Sequence, residues 1–257
     1  MKYRVLSLFP EIMDAFFATS IMARAVERGV VEYCSINIRD FALDKHKTCD
    51  DAPYGGGAGM LMLPEPLGRA LEAAGARNRL AEPEAPPRGK GPRVIYLTPS
   101  GRPFTQAYAG ELATEQELIL LCGRYEGIDQ RIIDAYVEDE ISVGDYVLSS
   151  GEAAALVVID ATYRLLDQVI APESLAEESF SGGLLEYPQY TRPEIYGMLR
   201  VPEVLLSGHH ENIRRWRLKK RVEKTLALRP DLIRRGEELD LFDAETRKLI
   251  QEAQGER

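Results

Sequence analysis

The chain has 257 residues, of which 45% are hydrophobic and 28% are charged, a globular composition that argues against a disordered polypeptide. At roughly 150 residues per domain, this length predicts one or two domains. The 32 Lys and Arg residues against 41 Asp and Glu residues give a net charge of −9, which argues against a uniformly basic nucleic-acid coat but not against a local basic patch.

In the first part of the chain, apolar runs typical of strands alternate with segments typical of helices. This pattern predicts strands over residues 3–8 and 31–38 and one helix over residues 11–28. A polar, Gly-rich loop is predicted over residues 44–59, followed by a helix over residues 64–76.

The alternation resumes after a connector rich in Pro and Gly at residues 81–92. The predicted strands are residues 93–97, 118–122 and 137–142, and the predicted helices are residues 104–114, 128–136 and 152–166. Such a rhythm is typical of βαβ units, so we expect an α/β fold with a largely parallel sheet flanked by helices.

Beyond the last of these helices the composition changes. Residues 167–181 lose periodicity and become acidic, which is typical of an interdomain linker. The rest of the chain is helical and charged, with no strand signal. We therefore predict an α/β domain over residues 1–166, a linker over 167–181 and a small all-α domain over 182–257.

The cysteines and the apolar runs indicate a soluble, cytoplasmic protein. Cys34, Cys49 and Cys122 are odd in number and form no C-x-x-C pair, so neither a disulfide framework nor a zinc ribbon is indicated. The apolar run at residues 5–9 is too short for the core of a signal peptide. The longest clean apolar run, residues 153–159, is well below the roughly 20 residues that cross a bilayer.

Three predicted strands end in polar loops that contain glycine: "LTPSG" (97–101), "CGRYEGID" (122–129) and "SVGDYVLSSGE" (142–152). Ligands of open α/β sheets bind at the carboxyl ends of the strands, so these loops are candidates for one shared pocket with backbone groups that read an adenine-like edge. The alternative is a set of ordinary βα turns. Ser149 and Glu152 also fit a capping box, which would explain part of the third loop structurally.

Other nucleotide-binding motifs are absent from the sequence. The first strand–helix junction reads "LSLFPE" (6–11) and not G-x-G-x-x-G, which argues against a Rossmann cofactor site and a Rossmann-type methyltransferase. The glycines of residues 55–59 are not followed by Lys and Ser or Thr, which argues against a P-loop. This cluster is either a flexible loop that closes over a ligand or a chain of turns.

Basic residues are concentrated near the C-terminus. Residues 200–235 contain 11 Lys or Arg and 4 Asp or Glu, a local charge of +7 that leaves −16 on the remainder. Four basic side chains of this segment fall within an arc of roughly 80° on a helix: Arg214, Arg217, Arg221 and Lys224. A neighbouring apolar stripe consists of Leu218, Val222 and Leu226. We expect a basic ridge suited to phosphate contacts, although such runs are often merely solvated faces.

Six motifs, in this order, resemble those of the bacterial tRNA (guanine-N1)-methyltransferases, the TrmD family of the SPOUT class. They are "SLFPE" (7–11), "DDAPYGGGAGM" (50–60), "CGRYEGID" (122–129), "VGDYVLSSGE" (143–152), "YPQYTRPE" (187–194) and "VLLSGHHENIRRWR" (204–217). The resemblance implies an α/β domain with a deep trefoil knot, a helical tRNA-binding domain, and a homodimer with its active site at the subunit interface. It also implies transfer of a methyl group from S-adenosylmethionine to N1 of guanosine 37 of tRNA.

The resemblance assigns a cofactor pocket that consists of Tyr96, Leu97, Pro99, Gly123, Tyr125, Glu126, Ser142, Val143, Gly144, Tyr146 and Leu148. Two positions depart from the family pattern, since Ser150 replaces a glycine and Ala154 replaces a proline.

The resemblance also suggests two catalytic residues. Glu178 stands where members commonly carry a catalytic Asp, and Arg164 matches an arginine thought to act on the guanine or its O6. Guanine N1 carries a proton at neutral pH, so the reaction needs a base at N1 and positive charge near O6. The alternatives are a solvated linker acid and a salt-bridged helix residue.

Contacts to tRNA are expected from His46, Asp50, His209, Arg214, Arg215 and Arg217. Trp216 is expected in the core or in a stacking contact. Magnesium is a possible requirement of the reaction, but no carboxylate cluster has a diagnostic metal spacing, so its ligands stay unknown. The alternatives to base methylation are a non-catalytic RNA-binding protein that kept the fold and a ribose 2′-O-methyltransferase.

Overall fold

The computed structural model describes residues 1–81 and 91–255. Most of the predicted connector, residues 82–90, lies outside the described residues. The chain divides into two compact units, Met1–Ile170 and Ala171–Arg257, and the division falls within the segment 167–181. Among the described residues, none of the helices is both long and apolar enough to cross a bilayer.

The first unit contains strands and helices in alternation. Its strands are β1 (Lys2–Ser7), β2 (Glu32–Asn37), β3 (Asp50–Asp51), β4 (Leu61–Met62), β5 (Arg93–Pro103), β6 (Glu117–Cys122) and β7 (Asp139–Ser142). Its helices are α1 (Glu11–Phe17), α2 (Ser20–Glu27), α3 (Pro64–Ala73), α4 (Gln106–Leu112), α5 (Gln130–Tyr136) and α6 (Glu152–Tyr163), with a 3₁₀ turn at Ile38–Phe41.

Five of the described strands form one parallel sheet in the order β2-β1-β6-β5-β7, so the predicted α/β class is correct. The central strand β6 is apolar from Leu118 to Cys122 because helices cover both faces of the sheet. Its Leu118 and Leu120 pack in the cluster formed with α1, α2, α4 and α6, whereas Ile119 and Leu121 pack in the cluster formed with α3 and α5.

The single helix predicted over residues 11–28 is wrong, since the structure has α1 and α2 there. Thr19 is extended and Ser20 has a φ of 56°, which interrupts the helix. Both halves bury apolar residues, Met13 and Phe17 in α1 and Met22 in α2. Because apolar residues recur at helical spacing on both sides of the break, the sequence pattern does not reveal the break.

Two further predictions need correction. The loop predicted over residues 44–59 contains β3, which pairs antiparallel with β4. The strand predicted over residues 93–97 continues to Pro103, with a register shift against β7 between Leu97 and Arg102. Short strands and irregular pairings leave no periodic signal in a sequence, because they span fewer residues than one or two repeats of the pattern.

The second unit contains α7 (Pro172–Ala176), a 3₁₀ turn (Ser181–Gly183), β8 (Ile195–Tyr196), β9 (Leu199–Arg200), α8 (Glu203–Leu206), α9 (His210–Leu228), α10 (Pro230–Glu238) and α11 (Ala244–Gly255). Its core joins Leu184 to Val222, Leu226, Ile233, Phe242 and Ile250. The all-α prediction is wrong, because β8 and β9 form an antiparallel hairpin. Gly197, with a φ of 61°, supplies the turn between these two-residue strands.

A buried arginine stabilises the sheet at the start of β5. Arg93 is 8% exposed, and its guanidinium donates to Asp139 at 2.6 Å, to Glu111 at 2.9 Å and to Glu115 at 3.1 Å. Burial alone lowers the pKa of Arg93, but the hydrogen bonds to these three carboxylates raise it above its ordinary value. The arginine therefore stays charged.

Replacing Arg93 by Met is expected to lower the free energy of unfolding by about 3–5 kcal/mol, because Asp139 loses its ion pair with Arg93 while it stays mostly buried. Urea unfolding followed by circular dichroism measures the loss. Arg69→Met is the matched control, since Arg69 pairs with Glu65 at 2.7 Å on an exposed helix face and should cost under about 0.5 kcal/mol. Equal losses in the two variants would contradict the expected contribution of the buried cluster.

Candidate active site

Residues 96–99, which lie within β5 beside its register shift against β7, and the loops after β6 and β7 form a cavity of about 200 Å³ in the first unit. Because β5 lies between β6 and β7, the loops leave the sheet at one edge, and the predicted convergence is observed. The predicted residues that line it are Tyr96, Leu97, Pro99, Gly123, Tyr125, Glu126, Ser142, Val143, Gly144, Tyr146 and Leu148.

Nine further residues line the same cavity and are not among those that the resemblance assigns individually: Thr98, Arg124, Gly127, Ile141, Val147, Ser149, Ser150, Gly151 and Ala154. Each lies inside one of the three loops, at the end of β7 or in the first turn of α6. Most of them lie within the three segments that the sequence predicts to form one pocket.

Gly151 brings two of the loops into direct backbone contact. Its N–H donates to the carbonyl of Gly123 at 2.8 Å, and a Cβ on Gly151 would lie 2.8 Å from the Cα of Cys122. Real Cβ atoms do not approach backbone so closely, so only glycine fits there without a shift. Arg124 and Ser150 form an antiparallel bridge beside this contact. The third cavity loop (residues 142–152) is therefore in direct backbone contact with the start of the second (residues 122–129).

The capping box suggested by Ser149 and Glu152 is not formed. Gly151 is the N-cap residue of α6, and no side chain caps the helix. The carboxylate of Glu152 instead turns inward, is 2% exposed, and accepts a hydrogen bond from the Ser7 hydroxyl at 2.5 Å. Sequence spacing suggested a local partner, whereas the actual partner lies 145 residues away.

Backbone conformation in the loops accounts for one departure from the family pattern. Ser150 has no positive φ, so serine takes the place of glycine without backbone strain. By contrast, Tyr125 has a φ of 59° and lines the cavity. Left-handed conformations at residues other than glycine cost about 1–3 kcal/mol and concentrate at ligand sites.

The cavity combines backbone polar groups with apolar side chains and few charges. Tyr96 is buried, and burial raises the pKa of its hydroxyl, which therefore stays protonated at neutral pH. The acidic and basic side chains of the lining include Glu126 and Arg124. The Glu126 N–H donates to the carbonyl of Met60 at 3.0 Å, so the end of the Gly-rich segment borders the cavity. Such a lining suits an amphipathic ligand, with apolar parts for the side chains and polar parts for the backbone groups.

Comparison with known proteins decides the family. The model of the family tRNA (Guanine-1)-methyltransferase TrmD matches residues 1–235. The tRNA (guanine-N(1)-)-methyltransferase of Treponema denticola is 60% identical over 256 residues, with full coverage of both chains. The enzyme of that name from Treponema pallidum is 54% identical over 252 residues, covering 98% of this chain and 96% of its own. The chain belongs to the TrmD family. The family inferred from the six motifs is therefore confirmed.

Within this TrmD-family chain, the two predicted catalytic residues lie in different units. Arg164 is the half-buried C-cap residue of α6 in the first unit. Glu178 follows α7 in the second unit and is also half-buried. Its neighbour Glu177 accepts a hydrogen bond from the Tyr187 hydroxyl at 2.9 Å and pairs with Arg217 at 3.5 Å. Glu177 therefore has a structural role within the second unit.

The predicted tRNA contacts of the first unit, His46 and Asp50, lie before the glycines of residues 55–59. His46 is exposed in a turn organised by Asp44, whose carboxylate accepts from the backbone N–H groups of His46 and Thr48. These hydrogen bonds, the one from Thr48 first, lower the pKa of Asp44. Asp50 belongs to β3. An ordered turn thus presents His46 to solvent.

The prediction of an open basic ridge on α9 is wrong for two of its four residues, because backbone carbonyls bind their side chains. Arg221 donates to the carbonyls of Leu185 and Ser181, and Lys224 donates to that of Glu186. Both side chains are half-buried, because residues 181–187 pack back along the helix. A helical wheel cannot show such a segment. The apolar stripe is observed, with Val222 and Leu226 buried.

The other predicted tRNA contacts of α9 differ in how strongly they are paired. Arg214 donates to Glu211 and Glu245, and these contacts raise its pKa. Arg217 lies over the Tyr187 ring, 4.7 Å from its centroid. Arg215 is more exposed, with 69% of its side chain accessible and a longer ion pair of 3.7 Å to Glu245.

The remaining predicted positions of this region are placed as follows. His209 is exposed at the start of α9. Trp216 is half-buried, with its ring centroid 6.3 Å from that of Tyr190. Across residues 1–81 and 91–255, no group of three or more His, Cys, Asp or Glu side chains could hold a metal ion.

Proposed function

We propose that this protein methylates N1 of guanosine 37 of tRNA, next to the anticodon, with S-adenosylmethionine as the methyl donor. The observation that carries the proposal is the convergence of three family motifs on one cavity, in a chain that matches the Treponema denticola relative over the full length of both. Residues 1–166 hold the donor, the linker 167–181 supplies the base, and residues 182–257 bind tRNA.

The cavity fits the donor in chemical character. S-adenosylmethionine supplies an electrophilic methyl group on a sulfonium centre. Backbone groups of the three loops would bind the adenine edge, and apolar side chains such as Leu97 and Leu148 would pack against its ring. The carboxylate of Glu126 would favour the positive charge. Bound there, the donor would supply the methyl group that the acceptor base receives.

Glu178 acts as the general base and Arg164 stabilises the guanine. The donor would supply the methyl group, its S–C bond breaking with the electron pair left on sulfur. The Glu178 carboxylate takes the proton from N1, and the electron pair of that N–H bond forms the new N–C bond. Arg164 balances the negative charge that develops on O6. A positioned base is typically worth about 10²–10⁴-fold in rate. Glu is one methylene longer than the usual Asp, so its carboxylate must be drawn back or the linker shifted.

The protein acts as a homodimer in which Glu178 of one subunit serves the cavity of the other. Exposed apolar side chains of the first unit support this arrangement, since Tyr146, Val147 and Val157 are 55%, 84% and 47% accessible. The cavity loops form the deep trefoil knot that is expected of the SPOUT class. The tight backbone contact at Gly151 supports this expectation, because a knot requires chain segments to cross closely.

Binding of tRNA depends on exposed cations of the second unit, and Arg215 is the best placed of the predicted ones. Arg215→Gln is expected to weaken tRNA binding several-fold and to lower the slope of log K against log salt by about 1, because one phosphate contact is lost. A filter-binding series over salt concentrations measures both. Arg229→Gln is the matched control, since Arg229 is exposed and bound to Asp231. An unchanged slope in Arg215→Gln would remove this residue from the interface.

Transfer of labelled methyl to tRNA tests the function. We expect label in tRNA with guanosine at position 37 and none with adenosine there, and digestion to nucleosides should place the label on the base. Label on the sugar would show ribose 2′-O-methylation instead. Tight tRNA binding without transfer, at any salt or magnesium concentration, would indicate a non-catalytic RNA-binding protein. The magnesium series also tests whether the reaction requires that ion.

A further inference from the structure

The motif "SLFPE" lies at the end of β1 and does not line the cavity. Its Ser7 is fully buried and its hydroxyl has two partners. It donates to the Glu152 carboxylate at 2.5 Å, and its oxygen accepts from the backbone N–H of Phe9 at 2.8 Å. Ser7 therefore connects the loop after β1 to the first residue of α6, directly after the third cavity loop.

Phe9 connects the same motif to the second cavity loop. Its ring lies under the guanidinium of Arg124, 4.7 Å from the ring centroid to Cζ. Arg124 in turn bridges Ser150, and Gly123 accepts from Gly151. The contacts form a closed circuit from β1 through both loops and back to Glu152.

Glu152 contributes a buried hydrogen bond to this circuit and not only packing contacts. Its carboxylate is buried, and its Oε2 has no hydrogen-bond partner among the described residues. Ser7 is thus the donor that keeps this buried group in place. An acceptor of this kind is costly to leave without its donor, so loss of Ser7 should move Glu152 and the backbone before it.

We propose that Ser7 and Glu152 are positioning residues that fix the third cavity loop in the shape that binds the methyl donor. They act through Gly151, whose backbone rests on Cys122 and Gly123, and they do not touch the donor themselves. This inference rests on the proposed function, because the ligand of the cavity is taken to be S-adenosylmethionine.

Ser7→Ala is expected to raise the Kd of S-adenosylhomocysteine and the KM of the donor about tenfold. The kcat at saturating donor should change little, because the base and the acceptor site are intact. Calorimetry with S-adenosylhomocysteine and steady-state methylation assays measure these quantities, at a temperature where circular dichroism shows the variant folded. Glu152→Gln keeps an acceptor oxygen for the Ser7 hydroxyl, so its donor affinity should lie between those of wild type and Ser7→Ala.

Tyr3→Phe is the matched control, since it removes another buried hydrogen bond between β1 and α6. The Tyr3 hydroxyl lies 2.8 Å from Thr162 Oγ1, ten residues along α6 from Glu152 and so about 15 Å away along the helix axis. We expect Tyr3→Phe to lower the Tm as Ser7→Ala does but to leave the Kd of S-adenosylhomocysteine unchanged.

Wild-type affinity for S-adenosylhomocysteine in both Ser7→Ala and Glu152→Gln would overturn the inference and leave the proposed function intact. An equal loss of affinity in Tyr3→Phe would also overturn it, since any weakened β1–α6 link would then suffice. If Ser7→Ala does not fold, the comparison of Glu152→Gln with Tyr3→Phe decides the same question. Failure of the proposed function would appear differently, as wild-type protein that neither binds S-adenosylhomocysteine nor methylates tRNA.

Discussion

Glu178→Gln is expected to slow single-turnover methyl transfer to tRNA by about 10²–10⁴-fold, since an amide cannot take the proton from guanine N1. The substitution preserves size and hydrogen-bonding reach, so binding of donor and tRNA should change little. Single-turnover assays with saturating enzyme and donor isolate the chemical step from product release. A rate near that of wild type would remove Glu178 from the mechanism.

The neighbouring acid provides a matched control. Glu177 is one residue away, and its carboxylate is held by Tyr187 and Arg217 inside the second unit. Glu177→Gln should therefore reduce the rate far less than Glu178→Gln does. Glu178→Asp restores the residue that the family commonly carries, and we expect it to retain most of the activity. Equal loss in both Gln variants would point to a disturbed linker and not to a missing base.

The candidate cavity was predictable because the ends of strands are local features of the sequence. The segments 97–101, 122–129 and 142–152 each follow a recognisable apolar run, and parallel strands place their carboxyl ends at one edge. The bounds of central strand β6 follow from its unbroken apolar run, predicted at residues 118–122 and observed at Glu117–Cys122. The geometry of a parallel sheet thus brings the separately predicted strand ends together at one candidate site.

The features that could not be predicted depend on partners distant in the sequence. Spacing assigned Glu152 to a helix cap, whereas its donor is Ser7 on another element. A helical wheel placed Arg221 on an open ridge, whereas the carbonyls of Ser181 and Leu185 cover it. Periodicity describes one element at a time, and it contains no information on which segment packs against that element.

Gly151→Ala is expected to raise the Kd of S-adenosylhomocysteine by about 10–100-fold. An added Cβ would lie 2.8 Å from both the Cα of Cys122 and the N of Gly123, and neither backbone atom can turn away as a side chain can. Relief of such overlap costs about 1–3 kcal/mol, and the third cavity loop must shift to provide it. Calorimetry measures the change in affinity, and circular dichroism at the same temperature confirms that the variant is folded.

Gly110→Ala controls for the change of residue type itself. Gly110 lies within α4 of the same unit, and a Cβ there would meet no atom within 4 Å. Alanine is a better helix former, so this variant should gain about 0.5–1 kcal/mol in stability with no change in donor affinity. If Gly151→Ala bound S-adenosylhomocysteine as tightly as Gly110→Ala does, the backbone contact between the loops would not determine the shape of the cavity. The contacts from Ser7 to Gly151 would then have no effect on the affinity of the cavity for the donor.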